Sequence, residues 1–140
     1  MLNQISVFVE NKSGRLCAIM EVLNNTKINV RALSIADTTD FGIVRLIVDD
    51  SDKALTALKE NNFTSTVTEV IGFNIEDHFG AMYEVVKIFS DNGINIEYSY
   101  SLMGKSQGEA DIIVRVGQKD KAIELLQKHN IKIITERDIL

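Results

Sequence analysis

The sequence predicts an α+β fold made of two tandem ferredoxin-like βαββαβ modules, residues 1–70 and 71–140, packed as an intrachain pseudo-dimer. Three observations predict it. The chain repeats itself. Each copy alternates strand and helix periodicities in the same order. Each copy is also small enough that burying surface against the other is expected, since domains of this size bury only about 60% of the surface that their unfolded chains expose.

The repeat is read by sliding the chain along itself. A shift of 66 positions lays Gly14 on Gly80, and lays Leu16, Ile19, Met20 and Leu23 on Met82, Val85, Val86 and Phe89. The same shift lays Ile28-Asn29-Val30 on Ile94-Asn95-Ile96. A shift of 68 lays Asp52-Lys53-Ala54 on Asp120-Lys121-Ala122 and Leu58 on Leu126. The two added positions fall in Met103-Gly104-Lys105-Ser106-Gln107-Gly108, a glycine-rich stretch that reads as a turn between strands. Lengthening such a turn costs little, because loop-closure entropy grows slowly with length.

The elements follow from periodicity. Ile5, Val7 and Val9 alternate with Ser6 and Phe8, which predicts a strand. The stripe Leu16, Ile19, Met20, Leu23 has helical spacing. Ile28 to Ala36 and Ile43 to Val48 are β-rich runs joined by a hairpin through Asp37-Thr38-Thr39-Asp40. Ser51 or Asp52 is expected to cap a second helix carrying Leu55 and Leu58, and Thr64 to Val70 is a final β-rich run. The second copy repeats the order with Ile71 to Ile75, Ala81 to Asp91, Ile94 to Leu102, Ala110 to Val116, Lys119 to His129 and Ile131 to Arg137. No turn residue separates Val70 from Ile71, so the last strand of one copy is expected to run into the first strand of the next.

Composition narrows the function. The chain is 45% hydrophobic and 25% charged, enough apolar surface to offset the entropy of ordering. A net charge of −5 argues against nucleic acid and against an anionic membrane surface as partners. No apolar run approaches the roughly 20 residues that span a bilayer. Met1-Leu2-Asn3-Gln4 does not open a secretory signal, so a cytoplasmic location is expected. The single cysteine, Cys17, excludes an intrachain disulfide, and its place in a helical pattern reads as structural. The two histidines and one cysteine make no zinc set, and no catalytic constellation, metal or cofactor is expected.

In both copies a glycine sits between the first strand and the first helix. The first loop reads Glu10-Asn11-Lys12-Ser13-Gly14-Arg15-Leu16, and the second reads Glu76-Asp77-His78-Phe79-Gly80-Ala81-Met82. One such loop is an ordinary strand-to-helix turn. Two, each followed at the same distance by Ile-Asn-Val or Ile-Asn-Ile, point to a shared functional design.

Here the sequence resembles the ACT domain, the small-molecule sensor attached to many enzymes of amino-acid metabolism. Asn11-Lys12-Ser13-Gly14-Arg15-Leu16 is similar to the family's Asn-x-Pro-Gly-x-Leu, and Ile28-Asn29-Val30 is similar to its Ile-Asn-Ile at the start of strand two. The resemblance covers nearly the whole chain. In regulatory domains of this type, as in phosphoglycerate dehydrogenase, an asparagine from each piece holds an effector amino acid at a domain–domain interface. Carried over, those positions are Asn11 and Asn29, with Asp77 and Asn95 in the second copy. Two departures stand out: the family's proline is Ser13 in one copy and Phe79 in the other, and the second loop carries Asp77 in place of asparagine.

Physical chemistry gives the same loops a role. A free amino acid has a carboxylate and an ammonium. The carboxylate suits backbone N–H groups at a helix start, which Gly14-Arg15-Leu16 and Gly80-Ala81-Met82 would present. Glycine lets a ligand approach the backbone closely. Asparagine oxygens, strand-two carbonyls and, with a charge, Asp77 would accept from the ammonium. The ligand side chain would lie against Leu16, Met82, Val30 or Ile96; His78 reads either as a ligand contact or as an exposed loop histidine. These apolar neighbours favour a hydrophobic or aromatic amino acid, or histidine. The partners implied are that amino acid and either a second copy of the chain or an enzyme of amino-acid metabolism.

Other residues read more simply. His129 follows the last helical pattern as a C-terminal cation. Tyr98 and Tyr100 share a strand face and read as packing or interface residues, in a chain without the basic-aromatic pattern of an RNA-stacking sheet. Asp49-Asp50-Ser51-Asp52 reads as a solvated turn and helix start, without the convergent oxygens of a divalent-ion site. Two alternatives to an amino-acid sensor remain. One is a non-catalytic regulatory subunit acting by protein contact alone. The other is a small acylphosphatase-type enzyme, faintly echoed by Arg15 after Gly14; Ala81 breaks that echo in the second copy.

Overall fold

The computed structural model describes residues 1–38, 40–103 and 107–140. Thr39 of the expected hairpin and Gly104, Lys105 and Ser106 of the expected turn lie outside the described residues. The elements run β1 (Leu2–Glu10), α1 (Arg15–Asn25), β2 (Val30–Asp37), β3 (Phe41–Val48), α2 (Ser51–Glu60), β4 (Thr64–Glu76), α3 (Ala81–Asp91), β5 (Ile96–Ser101), β6 (Glu109–Val116), α4 (Lys119–Lys128) and β7 (Lys132–Ile134), then a 3-10 turn at Glu136–Ile139. The chain divides into two compact units, one of Asn3–Thr68 with Ile139–Leu140 and one of Glu69–Asp138 with Met1–Leu2. β4 is unbroken from Thr64 to Glu76, as the missing turn at Val70-Ile71 implies, and the division falls inside it.

In the first unit, β1 pairs antiparallel with β3, and β3 with β2. Ile5 faces Leu46 and Val7 faces Val44. These side chains, with Val48, are buried with Ile19 and Leu23 of α1 and Ala54 and Leu58 of α2. Leu16 and Met20 complete the predicted stripe as half-buried neighbours of that core. In the second unit the strand order is β7-β4-β6-β5, all antiparallel. Ile71 faces Val114 and Phe73 faces Ile112, under Val85 and Phe89 of α3 and Ala122 and Leu126 of α4. Subtracting 66 or 68 from the second register reproduces the first, so the duplication extends to strand pairing. Both sheets carry a bulge at matched positions, Val30/Ala32 and Ile96/Tyr98.

The helix ends explain where the strands begin. The N–H of Ile28 donates to Leu23 O at 2.9 Å, and that of Ile94 donates to Phe89 O at 2.9 Å, each across a left-handed residue, Lys27 or Gly93. This wrap satisfies late helix carbonyls and delays the strands to Val30 and Ile96. They therefore start two residues after the expected Ile28 and Ile94.

Three readings are corrected. The α2 cap is Asp50, whose Oδ1 accepts from Lys53 N at 3.1 Å; Ser51 and Asp52 lie inside the helix. The expected last strand, Ile131 to Arg137, is only Lys132–Ile134. Asp138 Oδ2 accepts from Thr135 N at 2.8 Å and from its hydroxyl at 3.0 Å, which turns the chain into a 3-10 segment. Cys17 is exposed on α1, so it does not pack in the core.

Candidate functional site

Each glycine loop ends in the backbone conformation that its glycine permits. Gly14 has φ +87° and Gly80 φ +86°, left-handed values that other residues rarely adopt. A Cβ added at either position would meet nothing within 4 Å. The glycines are thus demanded by dihedral angle, and open space lies above them. Among the described residues, no side chain caps α1 or α3. The first N–H of each helix makes a long bond within its loop, Arg15 N to Lys12 O at 3.4 Å and Ala81 N to His78 O at 3.2 Å. The next two donors, on Leu16 and Cys17 or Met82 and Tyr83, keep the partial positive charge of an uncapped helix start.

The loops are anchored in matching ways. Asn11 N donates to Asp40 O at 3.2 Å, and Asp77 N donates to Gly108 O at 2.9 Å. Both side chains are exposed. In the first loop the Lys12 ammonium lies 3.0 Å from Glu10, and this hydrogen bond and charge hold the Glu10 carboxyl below the usual carboxylate range. In the second loop His78 takes the place of Lys12. Its Nε2 is 3.7 Å from Glu76, and its Nδ1 is 3.0 Å from Phe79 O. Phe79, at the family's proline position, is 104% exposed.

The second loop forms one wall of a cleft of about 590 Å³. Asp77, His78, Phe79, Gly80, Ala81 and Met82 all line it, with Ala110 and Ile112 of β6 as an apolar floor. Asn95 and Ile96 line a separate depression, with Val86, Ser90 and Gly93. In the first unit Asn29 is fixed through its backbone: its N–H donates to Asp49 Oδ1 at 3.0 Å and its carbonyl accepts from Asp49 N at 3.1 Å. Its side chain is exposed, while Val30 is half-buried against the core. Ser13 is exposed, and Arg15 is half-buried, its guanidinium carbon 5.1 Å from the centre of the Phe63 ring.

The remaining sequence candidates have structural partners. His129 closes α4, its Nδ1 2.9 Å from Leu125 O. Asp49 holds Asn29 and Asp50 caps α2, which accounts for two of the acidic run. Tyr98 and Tyr100 stack with centroids 6.4 Å apart. No group of three or more His, Cys, Asp or Glu among the described residues is arranged to hold a metal. No helix among them is long and apolar enough to cross a membrane.

Fold and loops together define a pair of small ferredoxin-like modules, each opening its first helix on an uncapped glycine turn. The chain belongs to the ACT domain pair family, whose model matches residues 1–140. A crystallised protein from Bacteroides thetaiotaomicron is 40% identical, covering 99% of this chain and 94% of its own, with a TM-score of 0.92. The regulatory subunit of aspartate kinase from Thermus thermophilus, in ligand-free form, covers 90% of both chains at 14% identity and TM-score 0.66. The corresponding subunit from Thermus flavus gives 15% identity and TM-score 0.62, again over 90% of both chains. At such identities the likeness to the kinase subunits concerns fold. No curated protein matches the chain.

Proposed function

We propose that the chain is a non-catalytic cytoplasmic sensor of a free amino acid, with modules 1–70 and 71–140 each contributing a glycine loop. The observation that carries this reading is the cleft at the α3 start, where an uncapped helix N-terminus, the exposed Asp77 carboxylate and an apolar floor adjoin. The ligand carboxylate meets the Met82 and Tyr83 N–H groups. Its ammonium meets Asp77. An apolar or aromatic side chain, or an imidazole, lies over Ala110 and Ile112. The first loop offers Asn11, Ser13, Gly14, Arg15 and Leu16 in the same roles, with Asn29 and Val30 as a second contact piece; Asn95 and Ile96 line a separate depression and would reach a ligand only from a second copy of the chain. The output is a shift in the assembly of this chain or of an enzyme partner, driven by differential affinity for two states. Proteins of this fold include regulatory subunits of aspartate kinase, which supports a regulatory role here.

Thermal melts against the common amino acids test it. A ligand at about 100 times its dissociation constant adds about 2.7 kcal/mol, a rise in melting temperature on the order of 10 °C for this size. Asp77→Ala should remove the response of the second loop and Asn11→Ala that of the first. A melting temperature unmoved by every amino acid sinks the proposal.

A further inference from the structure

Both modules carry a groove between their first helix and the turn after their second, at very different sizes. In the first module it is lined by Ala18, Glu21 and Val22 of α1 with Asn61 and Phe63, and holds about 340 Å³. The matching positions of the second module are Glu84, Lys87, Ile88, His129 and Ile131, and the groove they line holds about 680 Å³. In the first module two side chains occupy part of this space. There Arg15 reaches over the buried ring of Phe63, guanidinium to ring centre 5.1 Å, a cation–π stack. The second module has Ala81 and Ile131 at those two positions. The exchange removes about nine non-hydrogen side-chain atoms, the size range in which small ligands bind most efficiently per atom.

Charge changes together with space. Glu84 and Glu109 stand where the first module has Ala18 and Phe41. The ammonium groups that line the groove are paired: Lys87 lies 3.2 Å from Asp91, within the lining, and Lys132 lies 3.8 Å from Asp138, outside it. The floor is apolar, formed by the buried Val85 and Ala81 with Ile75, Ile88 and Ile131. Glu76 and Asp91 also line the groove, so four carboxylates rim an apolar floor, which selects a flat apolar body that carries a positive charge.

We propose that this groove of the second module binds a small protonated aromatic amine, its ring lying where Arg15 and Phe63 stack in the first module and its ammonium meeting Glu84 or Glu109. The site is distinct from the amino-acid cleft. It shares Ile75, Glu76, His78, Ala81 and Tyr83 with that cleft, but Glu84, Ile88 and Ile131 belong to the groove alone.

Phenethylamine, which has no carboxylate, is the probe, and its binding to the full chain is followed by calorimetry and by NMR shifts of Ile131 and Ile88. Saturable binding is expected, with 3-phenylpropionate, of like shape and opposite charge, failing to bind. Ile131→Phe should weaken phenethylamine at least about tenfold, or about 1.4 kcal/mol, and adding Ala81→Arg should abolish binding; the first module shows that this pair of side chains fits the fold. Should either variant fold poorly, the surface pair Glu84→Gln with Glu109→Gln is expected to give a tenfold loss in a core left untouched. No phenethylamine binding, equal binding by 3-phenylpropionate, or affinity unchanged in these variants overturns the proposal. So does loss of the amine on Asp77→Ala with retention in Ile131→Phe, which assigns it to the loop cleft. If phenethylamine binds as expected while no amino acid does, the groove stands and the amino-acid reading fails. If amino acids bind and phenethylamine does not, the reverse holds.

Discussion

The central strand pairs of the two modules agree on one face and differ on the other. Towards the helices, Ile5 opposite Leu46 and Val7 opposite Val44 become Ile71 opposite Val114 and Phe73 opposite Ile112. Every residue stays apolar and buried apart from the half-buried Ile112, because each closes a core against two helices. On the other face the pairs are unlike. Ser6 opposite Arg45 becomes Gly72 opposite Ile113. Phe8 opposite Ile43 becomes Asn74 opposite Asp111, bonded from Nδ2 to Oδ1 at 2.7 Å. A duplicated fold can thus hold its helix-facing core constant while the opposite face is rewritten. The same division separates the shared glycine turns from the residues around them.

Glycines give the strongest test of that contrast. A Cβ on Gly72 would sit 2.9 Å from Leu2 Cδ1 and 3.1 Å from Ile134 Cβ. Gly72→Ala should cost about 1–3 kcal/mol by overpacking, read as a lower urea midpoint at unchanged slope. At Gly42 the nearest atoms to an added Cβ are 3.8 Å away, and the second module already has alanine at the matching position, Ala110. Gly42→Ala should therefore stay within about 0.5 kcal/mol. Equal costs at the two sites would break the comparison.

Next come the shared turns. Gly14→Ala and Gly80→Ala should each cost about 1–2 kcal/mol through the left-handed backbone alone, and by similar amounts in the two modules. Equilibrium unfolding of both variants checks this, and a twofold difference would show that the turns are less alike than their angles. The helix caps predict a smaller effect of opposite sign in the two copies. Asp50 caps α2, whereas Gln118, its counterpart, makes no cap bond to α4. Asp50→Ala should lose about 1 kcal/mol and Gln118→Asp should gain about as much. A Gln118→Asp chain that melts no higher than the parent would refute the equivalence of the two helix starts.

The smallest effect concerns protons. Lys12 lowers the Glu10 pKa in the folded chain, so the stability linked to Glu10 is present above its unfolded pKa and fades as pH falls through the folded one. Both side chains are exposed, so the change in stability is slight. NMR titration should show the Glu10 pKa rising when Lys12 becomes alanine. A Glu10 titration indifferent to Lys12 would contradict the ion pair.

Much of this was legible in the sequence because periodicity and spacing report directly on one-sided burial. The α1 stripe, the whole of α3 and the two glycine turns lie where the pattern puts them. What escaped depends on contacts between residues distant in sequence. Gly72 reads as an ordinary strand residue until Leu2 and Ile134 are known to crowd it. The last strand stops at Ile134 because Asp138 captures Thr135, a local side-chain bond that competes with a β-rich run. The separation of the Asp77 loop from Asn95 and Ile96 is likewise invisible to spacing. The Arg15–Phe63 stack was signalled faintly, by an arginine and a phenylalanine whose counterparts are both smaller.

The crowding of Leu2 against Gly72 also bears on the order in which the molecule can be made. Leu2 leaves a ribosome long before Ile134, yet it is fully buried in the unit that is complete only once Ile134 has emerged. The other unit, Asn3–Thr68 for nearly all of its length, takes in Ile139 and Leu140, which are made after the whole of Glu69–Asp138. Neither unit can finish folding before the chain has grown past Ile134. A nascent chain stalled at residue 70 would hold a module that is almost made, with Leu2 still waiting for its pocket.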